Sequence, residues 1–384
     1  MGAKVFQFLA KRFELSREIA GANLRAMEGM RGFAVTLVFL THYCSLIAAS
    51  LDAKSNLAAF ADAVHAIGNT GVDLFFVLSG YLIYKTLVGR EQNYFHFMWR
   101  RIRRIYPAFL AVFAVYWVLS LVFPSESSIP ADAPFLYLTE NLLLLPGLFP
   151  IRPMITVAWS LSYEMFFYLC LPIVVTALGL RRQTNAVRIA VIAVVAIGIS
   201  ILCGGFQGTL IRLIMFMAGM LVHESIDSRQ VRAPSAAVAA CVLAAGLGSI
   251  LLPITGYVKY ALLFASFYVV CMNCFMRPHE ALGRAFSWTP LRWLGNMSYS
   301  YYLLHGLTLK VLFMVVSKTH VLAHYPVPMF WALLPVFFGV TLCTSAGLFL
   351  LIEKPMSLSV GAHRLPNAKR VIPEVIPDIP VSKG

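Results

Sequence analysis

Residues 33–51 read FAVTLVFLTHYCSLIAASL, with one titratable side chain, His42, and no other ionisable group apart from the weak acids of Tyr43 and Cys44. At ~1.5 Å per residue, such a run spans the ~30 Å hydrocarbon core of a bilayer. Comparable apolar runs follow at 71–88, 105–123, 157–180, 187–203, 209–223, 235–252, 258–276, 293–317 and 329–352. The composition agrees: 59% of the 384 residues are hydrophobic, 12% are charged, and the mean hydropathy is +0.77. Soluble chains carry roughly twice that charge, so a soluble or disordered protein is excluded. The expected fold is an all-α polytopic membrane protein with about ten transmembrane helices. Residues 1–32 form a segment before the first span, 33–356 the membrane domain and 357–384 a proline-bearing tail. The apolar stretch 135–150 is short and interrupted by Pro146, Gly147 and Pro150, which marks a re-entrant or interfacial piece.

The net charge of +14 would suit a nucleic-acid binder, but here the basic residues have another place. With both termini cytoplasmic, the inner segments hold 24 of the 31 lysines and arginines, and the outer loops only Lys54, Arg152 and Lys318. That asymmetry follows the positive-inside rule and places a multi-pass protein in the cytoplasmic membrane. The seven cysteines are odd in number, sit in apolar stretches and lack zinc-ligand spacing, so neither a disulfide framework nor a metal site is expected. Residues 1–32 are polar and basic, unlike a cleaved signal.

Ionisable side chains inside spans are costly and mark candidate functional positions. His42 and His305 both fall near mid-depth, in the first and ninth spans. Asp73 and Glu164 are the two acids read as intramembrane, toward the outer part of the second and fourth spans. Either could orient a histidine, or pair with His or Arg212 to hold helices together. At the inner start of the third span, Arg100, Arg101, Arg103 and Arg104 form a run without lysine. Spacing of three puts Arg100 with Arg103 and Arg101 with Arg104 on shared faces. A lipid-headgroup anchor can use lysine equally well, whereas arginine suits bidentate phosphate recognition. Arg31 lies eleven residues before His42, a rise of roughly 16 Å.

Several of these stretches resemble the membrane acyltransferase-3 family. They are Glu28-Gly-Met-Arg31-Gly-Phe-Ala followed by His42, GVDLFFVLSGYLI (71–83), RRIRRIYP (100–107), WSLSYEMFFY (159–168), GNMSYSYYLLH (295–305) and IEKP (352–355), in the family's order. The family more often has Asp at the position of Glu28 and Leu at that of Met30. The resemblance covers residues 24–356 and implies transfer of an acyl group, usually acetyl, from cytoplasmic acyl-CoA to a glycan or glycolipid such as a lipopolysaccharide or exopolysaccharide. It implies His42 as the catalytic histidine, Arg31 as its required partner, Arg101 and Arg104 as an Arg-x-x-Arg element, and Asp73, Glu164 and His305 as further polar positions. It also implies a membrane module without the appended esterase-like domain that some members carry.

The chemistry fits the residues. A sugar hydroxyl becomes a nucleophile when a base titrating near neutrality takes its proton, and histidine is that base. The expectation is therefore His42 as general base or transient acyl carrier, oriented by Glu164 or Asp73. Arginines 31, 100, 101, 103 and 104 would hold the anionic donor at the inner face, while Trp159, Tyr163 and Tyr168 would offer aromatic surface to the sugar from the other side. The alternative reading is a transporter or flippase of a glycan or glycolipid, with His42, His305, Asp73 and Glu164 as a proton relay.

Overall fold

The computed structural model describes residues 2–15, 22–204, 209–319 and 321–358. Every one of the ten apolar runs forms a helix. Eight helices are long and apolar enough to cross a bilayer. The runs at 209–223 and 235–252 give shorter α-helices, Ile214–Ser228 and Ala236–Ser249, the former continued backwards by a 3-10 turn over Thr209–Leu213. The stretch near 135–150 is a nine-residue helix, Pro134–Leu142, followed by an irregular turn with Gly147 at φ +92°. Nine residues rise only about 14 Å, too little to cross. No strand occurs among the described residues, and their six cysteines are free thiols; the Cys203 side chain and the tail from Pro366 onward lie outside the described part.

The first span starts eleven residues earlier than its hydropathy suggests. One continuous helix, Ala22–Ala48, carries both Arg31 and His42. It is the hub of the bundle, packed against Asn56–Gly68, Gly71–Gly89, Gly256–Met276, Thr289–Asn296 and Ser298–Ser317. Small residues permit these close crossings. A Cβ on Gly32 would lie 2.1 Å from the carbonyl oxygen of Leu291, and one on Gly219 1.9 Å from that of Val77. Lipid-facing helices surround the hub: only 6% of the apolar window of the 185–202 helix is buried. The last span, Pro326–Leu348, runs into a π-helical stretch, Phe349–Leu358, which carries Glu353 into the interior. Wide π turns of this kind are rare and often sit at functional positions.

Candidate active site

The sequence places Arg31 and His42 eleven residues apart, three turns of one helix, so both project from nearly the same face. His42 is half-buried and meets His305, which is fully buried, with His42 Nδ1 and His305 Nε2 3.2 Å apart and the rings edge to face at 4.8 Å. The backbone fixes the protons. His305 Nδ1 faces two carbonyl oxygens, Tyr302 at 2.7 Å and Tyr301 at 3.1 Å, so in the neutral ring it carries the hydrogen and Nε2 is the acceptor. His42 Nδ1 faces the Val38 carbonyl at 2.9 Å and the bare Nε2 of His305, both acceptors, so it too is protonated. The free lone pair of His42 therefore lies on Nε2.

The bundle also holds a cavity with about 880 Å³ of empty space, part of it open to solvent. Arg31, Arg101, Arg104, Glu164, Tyr168 and Tyr302 are among its lining residues. Arg31 donates from Nε to Ser298 Oγ at 3.2 Å. Arg104 reaches Glu353 Oε1 at 2.5 Å and lies over the Tyr299 ring. Arg101 lies over the faces of Phe97 and Tyr168, its buried Nε without a hydrogen-bond acceptor. A guanidinium in this position invites an anion.

The shared-face expectation for the arginine run holds in part of its length: Arg101 and Arg104 line the cavity together. Arg100 is exposed and bonded to Gln92, and neither it nor Arg103 is among the lining residues. Both acids take partners other than histidine. Glu164 Oε1 accepts hydrogen bonds from Ser79 at 2.9 Å and from the Tyr168 hydroxyl, on the cavity wall with the arginines. Asp73 is fully buried and 3.6 Å from Arg212, whose guanidinium stacks on Trp159 and Tyr260. His42 Nδ1 thus meets the Val38 carbonyl and the second histidine, where a carboxylate was expected. The expected aromatic sugar surface also divides: Tyr163 is buried, Tyr168 belongs to the arginine cavity, and Trp159 packs against Arg212.

Three further acids, Glu28, Glu224 and Glu353, are buried in the bundle. Glu353 sits one residue beyond the expected end of the last span, and Glu224 pairs with Arg188 at 3.0 Å. Glu353 lies in the closing IEKP stretch, so the motif was the available signal; its partner, 249 residues away, had none. Glu28 pairs with Arg292 at 3.0 Å, and Arg292 also meets Glu14, which ties the N-terminal helix Gly2–Phe13 to the hub.

Residues 24–350 match the family model for an acyltransferase domain, acyltransferase family 3. The chain belongs to this acyltransferase-3 family. Among its relatives is YrhL of Bacillus subtilis, which carries a provisional peptidoglycan O-acetyltransferase name. That protein is 29% identical over 289 residues, 62% of this chain and 44% of YrhL. The O-acetyltransferase OatA of Staphylococcus aureus is 28% identical over 194 residues, 46% of this chain and 29% of OatA. The acyltransferase MdmB of Streptomyces mycarofaciens is 28% identical over 156 residues, 39% of each chain. Alignment to this acyltransferase-3 chain thus spans less than half the length of these relatives. No solved structure matches it.

Proposed function

We propose that this protein is an integral-membrane O-acyltransferase. It takes an acyl group, acetyl foremost, from acyl-CoA at the cytoplasmic face and places it on a hydroxyl of a cell-surface or secreted glycan. The observation that carries this reading is a cavity holding three guanidiniums, one of them with no carboxylate partner, and bordered by Tyr302, whose carbonyl bonds the histidine that meets His42. The naming of OatA and YrhL for O-acetyl transfer supports acetyl as the group and a glycan as the acceptor.

Arg31, Arg101 and Arg104 suit the phosphates of the donor, because a guanidinium makes charge-assisted and bidentate bonds to them. Arg104 gives one contact to Glu353 and retains other N–H groups for a ligand. The roughly 16 Å rise from Arg31 to His42 is comparable to the reach of a pantetheine arm. His42 Nε2 then removes the proton from the acceptor hydroxyl. The hydroxyl oxygen attacks the thioester carbonyl, the new C–O bond forms, the C–S bond breaks, and the departing thiolate collects the proton from His42. While His42 is an imidazolium, its Nδ1–H remains directed at the His305 lone pair, which steadies the charge as the triad carboxylate does in hydrolases. Both termini lie on the cytoplasmic side in this reading, and acetyl crosses the membrane while coenzyme A does not.

The test uses purified protein in liposomes with acetyl-CoA carrying a labelled acetyl group and a mixture of surface glycans. Label in the glycan, with the same mass shift present in wild-type and absent in deletion cells, supports the proposal. Glycan movement across the bilayer without label would support the transporter instead.

A further inference from the structure

Neither histidine is among the residues lining the arginine cavity, although the thioester must reach them. Tyr302 stands at that boundary. Its side chain lines the cavity, and its backbone carbonyl accepts the 2.7 Å bond from His305 Nδ1. The Tyr302 ring centroid is 5.9 Å from that of His305. The hydroxyl is fastened across the bundle to Ser160 Oγ on the Ala158–Ala177 helix, 2.7 Å away, and it lies 3.3 Å from the Val157 carbonyl. Ser160 lines the cavity too, and both residues are buried. On the other flank the edge of Phe75 packs against the Tyr302 ring at 5.9 Å.

We propose that Tyr302 is a gate between the donor cavity and the His42–His305 pair, latched shut by Ser160; this rests on the donor reading above. The chemistry calls for such a residue. A continuous wet path through the bundle would admit water to the thioester and protons across the bilayer. Rotation of the Tyr302 side chain breaks the bond to Ser160 but leaves the backbone carbonyl on His305 Nδ1, so the gate opens without disturbing the tautomer that frees His42 Nε2. The latch is also keyed to its ligand. The pantetheine arm carries amide carbonyls and the thioester carbonyl, all acceptors, and any of them can take the hydroxyl hydrogen that Ser160 and Tyr302 share. Donor arrival thereby replaces the latch bond with a bond to the donor. Tyr302 and Ser160 are positioning residues here: they control access and leave the proton transfer to His42.

The test compares wild type, Ser160→Ala and Tyr302→Phe, reconstituted full-length in liposomes and checked for unaltered thermal unfolding. A brief pulse of diethyl pyrocarbonate is followed by mass spectrometry of the peptide containing His305, which is fully buried behind the gate. Loss of one hydrogen bond shifts the open population by about fivefold, so His305 should be modified about fivefold faster in Ser160→Ala and at least as fast in Tyr302→Phe, which also loses the bond to Val157. Acetyl-CoA hydrolysis without acceptor should rise by a similar factor, and the ratio of transfer to hydrolysis should fall. Equal His305 modification in wild type and both folded variants would overturn the gate, even where acyl transfer is normal. Protection of His305 that depends on Ser160 and Tyr302, in a protein that never transfers acetyl, would keep the gate and reject the donor reading. Should Tyr302→Phe unfold, Ser160→Ala alone decides, since it leaves the tyrosine intact.

Discussion

Replacing Glu353 separates a structural ion pair from a surface one. Its carboxylate is fully buried and satisfies three donors: Arg104 Nη1 at 2.5 Å, the Ser300 backbone N–H at 3.0 Å and the Ser300 hydroxyl at 2.5 Å. Removing one member of a buried pair costs about 3–5 kcal/mol, since the other charge is left unpaired. The Arg104 side chain keeps 25% of its exposure, so water offsets part of that loss and Glu353→Ala should cost about 3 kcal/mol. Glu353→Gln keeps an acceptor oxygen near both Ser300 donors and loses only the charge, which should cost about 1–2 kcal/mol. At about 2 °C per kcal/mol for a chain of this size, thermal unfolding in detergent, followed by tryptophan fluorescence, should show Tm lowered by about 6 °C and about 3 °C. Replacing Arg104 by Met together with Glu353→Met should recover most of the loss, because no charge is then stranded. A cost below about 0.5 kcal/mol for Glu353→Ala would give the pair only the weight of an exposed one.

Arg31→Ala and Arg101→Ala should each raise the KM for acetyl-CoA by about 10- to 100-fold, the range for losing one hydrogen bond to a charged group, with a smaller effect on the acceptor KM; steady-state kinetics with each substrate varied checks this. Gly219→Ala forces a methyl group to within 1.9 Å of the Val77 carbonyl, so the Gly71–Gly89 and Ile214–Ser228 helices must separate; unfolding in detergent should show a loss of about 1–3 kcal/mol. Glu280 lies outside the spans, and hydrogen bonds from Arg277 and Asn273 hold its carboxyl below the usual value of 4.5. A depressed carboxylate stabilises the fold above its unfolded pKa and loses that effect as the pH falls through the folded one. The stability difference between wild type and Glu280→Gln should therefore be present at neutral pH and shrink as the pH drops below 4.5.

Hydropathy located the helices because the bilayer imposes both their length and their apolar content. All ten runs are helical, and the pairing of Arg101 with Arg104 on one face follows from local spacing. What hydropathy could not supply was rotation. A helix with lipid on one side and apolar neighbours on the other has no hydrophobic face to orient it. Which carboxylate meets which cation was legible only as alternatives: Arg212 was open to either acid and takes Asp73, while Arg104 finds Glu353 across a separation with no local signal. The two histidines were placed at a common depth, but that they touch through Nδ1 and Nε2 depends on the tight crossings of the hub helix, where Gly32 meets Leu291. The same applies to Glu164, which faces the arginines and Tyr168.

In the proposed mechanism His42 Nε2 is the base for acyl transfer, fed by a donor held at the arginine cavity. The most direct measurement is single-turnover transfer from labelled acetyl-CoA by His42→Gln in liposomes, with donor binding measured on the same preparation. If His42 is that base, transfer should fall by about 10²- to 10⁴-fold, the usual contribution of a general base, while acetyl-CoA binding should stay within about threefold of wild type. Transfer at the wild-type rate in the folded variant would contradict that role.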